Sequence, residues 1–152
     1  MTSGTSDRTF VDTNVLIYAA DEDSEAHAAC RTAIDQWRRQ AAPWFLTWAI
    51  CYEFLRVCTH ARVFRRPWTA GAALGFLDAL LAAPGVALLE PTLRHPAVLQ
   101  QTLGELPDLR GNVMHDLHTA VLMREHGVSR IVTRDTDFHR FPFLSVIDPL
   151  RQ

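Results

Sequence analysis

Along this chain short unbroken apolar runs alternate with longer stretches in which apolar residues return every three or four positions. The first pattern belongs to buried strands, the second to helices with one face on a core. Thr9-Phe10-Val11 predicts a strand ending at Asp12, and Thr13-Asn14 offer caps for a helix running through Ala20. Asp21 to Ser24 predicts a turn with a second cap. A helix over 25–40 then carries Ala29, Ala33, Ile34 and Trp37 on one side and stops before Pro43. Trp44 to Thr47 suits a second buried strand, and the helix over 48–60 turns Ile50, Phe54, Val57 and Cys58 to one face. After a basic turn, Arg62 to Pro67, comes a helix over 69–82, halted by Pro84-Gly85, and a third strand, Val86 to Leu89, closed by Pro91. Helices over 96–106 and 112–126 are parted by Pro107 to Gly111. Asn112 offers the second of them a cap, and Gly127 suits the left-handed residue after its end. Ile131-Val132-Thr133 is the fourth strand, with Asp135 beyond it, and Ser145–Ile147 predicts a last strand before Pro149.

Strands alternating with helices predict an α/β sandwich around a mainly parallel sheet of four to five strands. No repeat, linker or low-complexity segment divides the chain, so one domain is expected over 8–150, behind a flexible lead at 1–7. At 152 residues it is long enough to bury a real core without staples. A hydrophobic fraction of 48% and a charged fraction of 21% are those of an ordinary soluble protein. The net charge of −2 does not mark a basic nucleic-acid binder, so attraction to a polyanion must come from a local patch or a bound cation. Cys30, Cys51 and Cys58 form no CxxC and no zinc spacing, which predicts reduced thiols in a cytoplasmic protein. The opening residues lack the apolar core of a signal peptide, and the apolar stretch 44–55, broken by Thr47 and Glu53, is too short to span a bilayer.

Four acids stand out against this frame. In a parallel α/β sheet, ligands bind outside the carboxyl ends of the strands. Asp12 ends the first strand and Asp135 lies two residues beyond the fourth. Glu53 interrupts the apolar run Ala49 to Val57, and Asp116 follows Val113-Met114 on a helix rich in Leu, Ala and Val. A carboxylate on an apolar helix face is costly unless it is paired or metal-bound. Four such groups near one sheet edge repel one another, and oxygen-only ligation favours a hard ion, Mg²⁺ or Mn²⁺, over zinc. An ion held that way can generate hydroxide from water and stabilise charge on a phosphodiester.

The segments Val11-Asp12-Thr13-Asn14-Val15-Leu16-Ile17-Tyr18-Ala19, Tyr52-Glu53-Phe54-Leu55-Arg56, His115-Asp116-Leu117-His118-Thr119-Ala120 and Thr133-Arg134-Asp135-Thr136-Asp137-Phe138 together resemble the four motifs of PIN domains. More narrowly they resemble the VapC toxins of bacterial toxin–antitoxin pairs, over about residues 8–150. The resemblance implies a three-layer α/β/α sandwich and an endoribonuclease using metal-activated water. It implies that Asp12, Glu53 and Asp116 bind metal and that Asp135 is the more variable fourth acid. Asn14 and Thr133 match polar positions that orient the acids. It further implies an RNA substrate, a homodimer and a tightly bound VapB-type antitoxin laid across helices 14–20, 25–40 and 48–60. Leu117 departs from the pattern, standing where a smaller residue is common.

Around those acids other groups compete for roles. Asp137 is expected to cap a turn ahead of Phe138 rather than to assist the metal. Arg62, Arg65 and Arg66 form the best local cationic patch for RNA phosphates, with Arg38 and Arg39 a second. His115 and His118 are offset from Asp116 by one and two positions and are expected on other helix faces. His27, His60, His95, His126 and His139 are expected at the surface or at caps, and the four tryptophans mostly in the core. All fifteen Lys+Arg residues are arginine. Phosphoryl-transfer enzymes of the haloacid-dehalogenase or receiver type, which need a lysine, are therefore excluded. Neither GxGxxG nor GxxxxGK[ST] occurs, which disfavours a nucleotide-binding fold. The surviving alternative is a PIN-like domain that binds RNA or a partner without cutting.

Overall fold

The computed structural model describes residues 8–151; the flexible lead expected at 1–7 lies outside the described residues. Five short strands form one sheet: β1 (Thr9–Val11), β2 (Trp44–Leu46), β3 (Val86–Leu88), β4 (Arg130–Val132) and β5 (Ser145–Ile147). All pairings are parallel and the order is β3-β2-β1-β4-β5. Among the described residues six α-helices connect them: α1 (Thr13–Ala20), α2 (His27–Arg39), α3 (Trp48–Cys58), α4 (Ala70–Leu81), α5 (His95–Glu105) and α6 (Val113–Glu125). A 3-10 turn, Thr136–Arg140, links β4 towards β5.

This topology explains where a site forms. The chain steps outward from β1 through β2 to β3, then returns past β1 to β4. Right-handed crossovers in opposite directions place α1–α4 on one face and α5–α6 on the other. The reversal falls between β1 and β4, where the crevice at the strand ends opens. Both strands are apolar because both are central: Phe10, Val11, Ile131 and Val132 are buried on the two sheet faces. β3, at the edge, is only partly buried.

Local details refine the expected capping. Asp12, not Thr13 or Asn14, is the N-cap of α1, because its extended backbone lets the carboxylate accept from Thr13 N. Thr47 leaves the strand and caps α3 by accepting from Ile50 N. Asn112 precedes α6 but holds helical angles (φ −62°, ψ −25°) and makes no capping bond. Gly127 takes φ +70° after α6, as a left-handed terminator does. The three cysteines are free and buried. Trp44 is fully buried, whereas Trp48 is 49% exposed on the rim of α3, so one tryptophan expected in the core faces solvent.

Candidate active site

Asp12 leaves the end of β1 into the reversal crevice. Its Oδ1 accepts from Thr13 N at 2.8 Å. Its Oδ2 accepts from Thr133 Oγ1 at 2.8 Å and from Asn14 Nδ2 at 3.2 Å. Asn14 Nδ2 also donates to Thr133 Oγ1 at 3.0 Å, and Arg134 N donates to Asn14 Oδ1 at 3.2 Å. Thr133 Oγ1 in turn accepts from Asp135 N at 2.9 Å. The ends of β1 and β4 are thereby tied together by side chains around one carboxylate. Burial pushes that carboxylate up to about 6, against the pull of Thr133 and Thr13 and with a further push from Asp135.

Asp116 enters from the first turn of α6, on the opposite face. Burial, then Asp135, Asp12 and Asp137, push its carboxyl up to about 7, with Arg140 pulling the other way. Ligand oxygens of Asp116, Asp135 and Asp137 lie within 4.8 Å of one another. The sequence suggests Asp137 as the cap of this turn, but Asp135 fills that role, accepting from Asp137 N at 2.9 Å, and the Asp137 carboxylate joins the cluster. Its spacing of two from Asp135 in one tight turn is the signal that could have found it.

Glu53, from α3, lines the same cleft of about 670 Å³ as Asp12, Asp116 and Asp135. Its carboxylate is held bidentate by Arg56, at 3.0 Å to Nε and 2.6 Å to Nη2. Arg56 hydrogen bonding outweighs burial and lowers its pKa, with help from the charges of Arg56 and His115. Arg56 is the residue that motif reading passes over, although the i,i+3 spacing announces the pair. His115 and His118 also line the cleft, contrary to expectation. The cleft embraces more than one stripe of α6, so residues one and two positions from Asp116 still reach it. Arg62, Arg65 and Arg66 do not line it: the last two border a separate depression with Asp21, Glu22 and Asp23. Arg38 and Arg39 border another, beside Asp35.

Against known proteins, the PIN-domain family profile matches residues 9–144. Ribonuclease VapC37 of Mycobacterium tuberculosis is 36% identical over 131 residues, 86% of this chain and 90% of that one. The chain belongs to the VapC family of PIN domains. Ribonuclease VapC43 of the same organism is 34% identical over 140 residues, 92% of this chain and 94% of that one. Among solved structures, VapBC2 of Rickettsia felis superposes with a TM-score of 0.64 at 14% identity, covering 91% of this chain and 96% of that one. VapC20 of Mycobacterium tuberculosis does so with 0.61 at 17% identity, covering 92% and 99%. The VapC motifs located by sequence therefore fall on one crevice of a VapC fold, with Asn14 and Thr133 bridging β1 and β4 at its floor.

Proposed function

We propose that this VapC-family chain is an endoribonuclease dependent on Mg²⁺ or Mn²⁺, and the toxin of a cytoplasmic toxin–antitoxin pair. The observation that carries the reading is the crowding of acids from β1, α3, α6 and the 3-10 turn in one cleft. Two of them, Asp12 and Asp116, are pushed far above the ordinary carboxylate range by burial and, in both cases, by the charge of Asp135. Such a cluster gains when a cation enters, and an all-oxygen donor set fits a hard divalent ion. Asp12, Asp116 and Asp135 would hold it, with Glu53 across the cleft and Asp137 beside them. A bound divalent ion supplies a water of lowered pKa and positive charge opposite the phosphodiester. The protein's own part is orientation. Thr133 and Asn14 fix the Asp12 carboxylate, and the turn at Asp135 fixes the other wall. Arg56, at the cleft edge, offers a guanidinium to substrate phosphate once it lets go of Glu53.

The names of the relatives support ribonuclease activity, and the VapBC structures among the fold neighbours support a VapB-type antitoxin as partner. A shallow apolar depression between α3 and α4, bordered by Tyr52, Leu55 and Leu74, offers that partner a landing surface beside the cleft. Tyr52 is 70% exposed, which a partner would cover. A homodimer belongs to the same reading. No helix among the described residues is long and apolar enough to cross a membrane. The test is cleavage of RNA with and without added Mg²⁺ or Mn²⁺. Cleavage should require the ion and fall by ~100-fold or more in Asp12→Ala, beyond what loss of an orienting neighbour alone costs. Equal cleavage by both proteins would end the assignment.

A further inference from the structure

Next to the acid cleft, and sharing Asp135 with it, lies a second depression of about 360 Å³ bordered by Arg134, His139, Asp148 and Arg151. We propose that it is a phosphate subsite, holding backbone phosphates of the RNA strand just beyond the bond cut in the cleft; the proposal rests on the nuclease reading above. Two guanidinium groups share one carboxylate there. Arg134 Nε stands 3.6 Å and Arg151 Nε 3.8 Å from Asp148, beyond good hydrogen-bond length, so most of their donors are unspent. Asp148 also accepts from Leu150 N, so part of its capacity is taken by its own turn. The other acid on the rim, Asp135, lines both depressions and accepts from Asp137 N. Two guanidiniums thus face two carboxylates on this side, whereas Asp12, Glu53, Asp116 and Asp135 crowd the cleft.

The guanidinium of Arg134 is also placed. It lies 5.9 Å from the centre of the Tyr18 ring, on α1, and its backbone N–H is anchored to Asn14. A planar, pre-oriented guanidinium suits bidentate phosphate contact. Asp135 lines both depressions, so a strand whose scissile phosphate meets Asp135 has Arg134 and Arg151 on its way out of the cleft. An acid-lined cleft repels the flanking phosphates of its own substrate, and the predicted patch at Arg65 and Arg66 faces acids elsewhere. The guanidiniums of Arg134 and Arg151 at this rim supply the phosphate donors that the acids of the cleft lack.

The experiment measures binding of a short single-stranded RNA to the Asp116→Asn chain in EDTA, where cleavage is off, over a series of salt concentrations. Adding Arg134→Gln and Arg151→Gln together should flatten the slope of log K against log salt by about 1.4, at ~0.7 for each single-strand phosphate that no longer meets a guanidinium. Arg151→Gln alone, at a side chain 87% exposed and safe for folding, should remove about 0.7 of that. Arg38→Gln with Arg39→Gln should leave the slope as it was. An unchanged slope in the first pair, an equal loss in the second pair, or no RNA binding by the parent would each overturn the subsite. Cleavage by the unaltered chain in Mg²⁺ is scored separately: cleavage with an unchanged slope removes the subsite and keeps the nuclease, whereas no cleavage removes both.

Discussion

Two carboxylates in this molecule are almost equally hidden from solvent and have opposite fates. Glu125, near the end of α6, is 5% exposed, and Asp12 is 9% exposed. Around Glu125 the chain supplies every partner itself. Thr92 donates through N at 2.9 Å and Oγ1 at 2.7 Å, and the His95 ring closes the other oxygen. Burial pushes Glu125 up, but His95 and Thr92 outweigh it and hold the carboxylate below its ordinary value. Asp12 has good donors too, yet ends at about 6, and its neighbour Asp116 at about 7. One charge has been completed by the fold; the others have been left for something from outside. A buried acid with a lowered pKa is architecture, and a group of buried acids with raised pKa values is an invitation to a cation.

That contrast can be broken by mutation. The largest effect belongs to Glu125→Ala, which strands His95 and the Thr92 donors and should cost on the order of 3 kcal/mol of folding stability, read as a lowered urea midpoint. RNA cleavage at a permissive temperature should survive. Loss of cleavage with unchanged stability would reverse the roles assigned to the two regions. Asp116→Asn should act with the opposite sign and raise the melting temperature of the metal-free chain by a few degrees at about pH 7.5, because it removes a charge the fold resists. A lower melting temperature would mean that Asp116 is already satisfied within the protein.

The pH dependence follows from the same asymmetry. Asp12 and Asp116 ionise at higher pH in the folded chain, about 6 and about 7, than at the ordinary value of 3.8. The folded state therefore holds extra protons between those values. Metal-free stability should fall as pH rises from about 4 to about 7 and level off above. Asp116→Asn should flatten the upper part of that fall, while Glu125→Gln should leave it in place. A metal-free stability that rises through this window would contradict the raised values. The smallest effect is expected for Thr133→Val, which removes one donor to Asp12 and the acceptor of Asp135 N and Asn14 Nδ2; it should weaken Mn²⁺ affinity by about 10- to 100-fold and cost on the order of 1 kcal/mol of stability. Unaltered affinity would show that Thr133 does not hold the acid in place.

Much of this is legible in the chain because it is local or periodic. Apolar runs at 9–11 and 131–133 mark the central strands, and their C-terminal acids, Asp12 and Asp135, announce the crevice. Asp116 and Glu53 are visible as acids interrupting apolar helices. What escapes depends on tertiary contact. The His95–Glu125 pairing joins residues thirty apart across α5 and α6, and nothing in either segment names the other. His118 reaches the cleft, and its ring meets that of His95 with centroids 6.1 Å apart, so it links the cleft to the Glu125 site. The arginines mislead for a similar reason. Clustering in sequence favours Arg62, Arg65 and Arg66, whereas nearness to the acids in space favours Arg56 and Arg134.

Whether the acids of this cleft converge to hold a divalent cation is decided by calorimetric titration of the chain with Mn²⁺ at about pH 7.5, above both raised carboxyl values. Saturable binding by the unaltered protein that disappears in Asp116→Asn but persists in Glu125→Gln is the predicted result. Absence of binding in the unaltered chain, or binding that Asp116→Asn leaves intact, would contradict it.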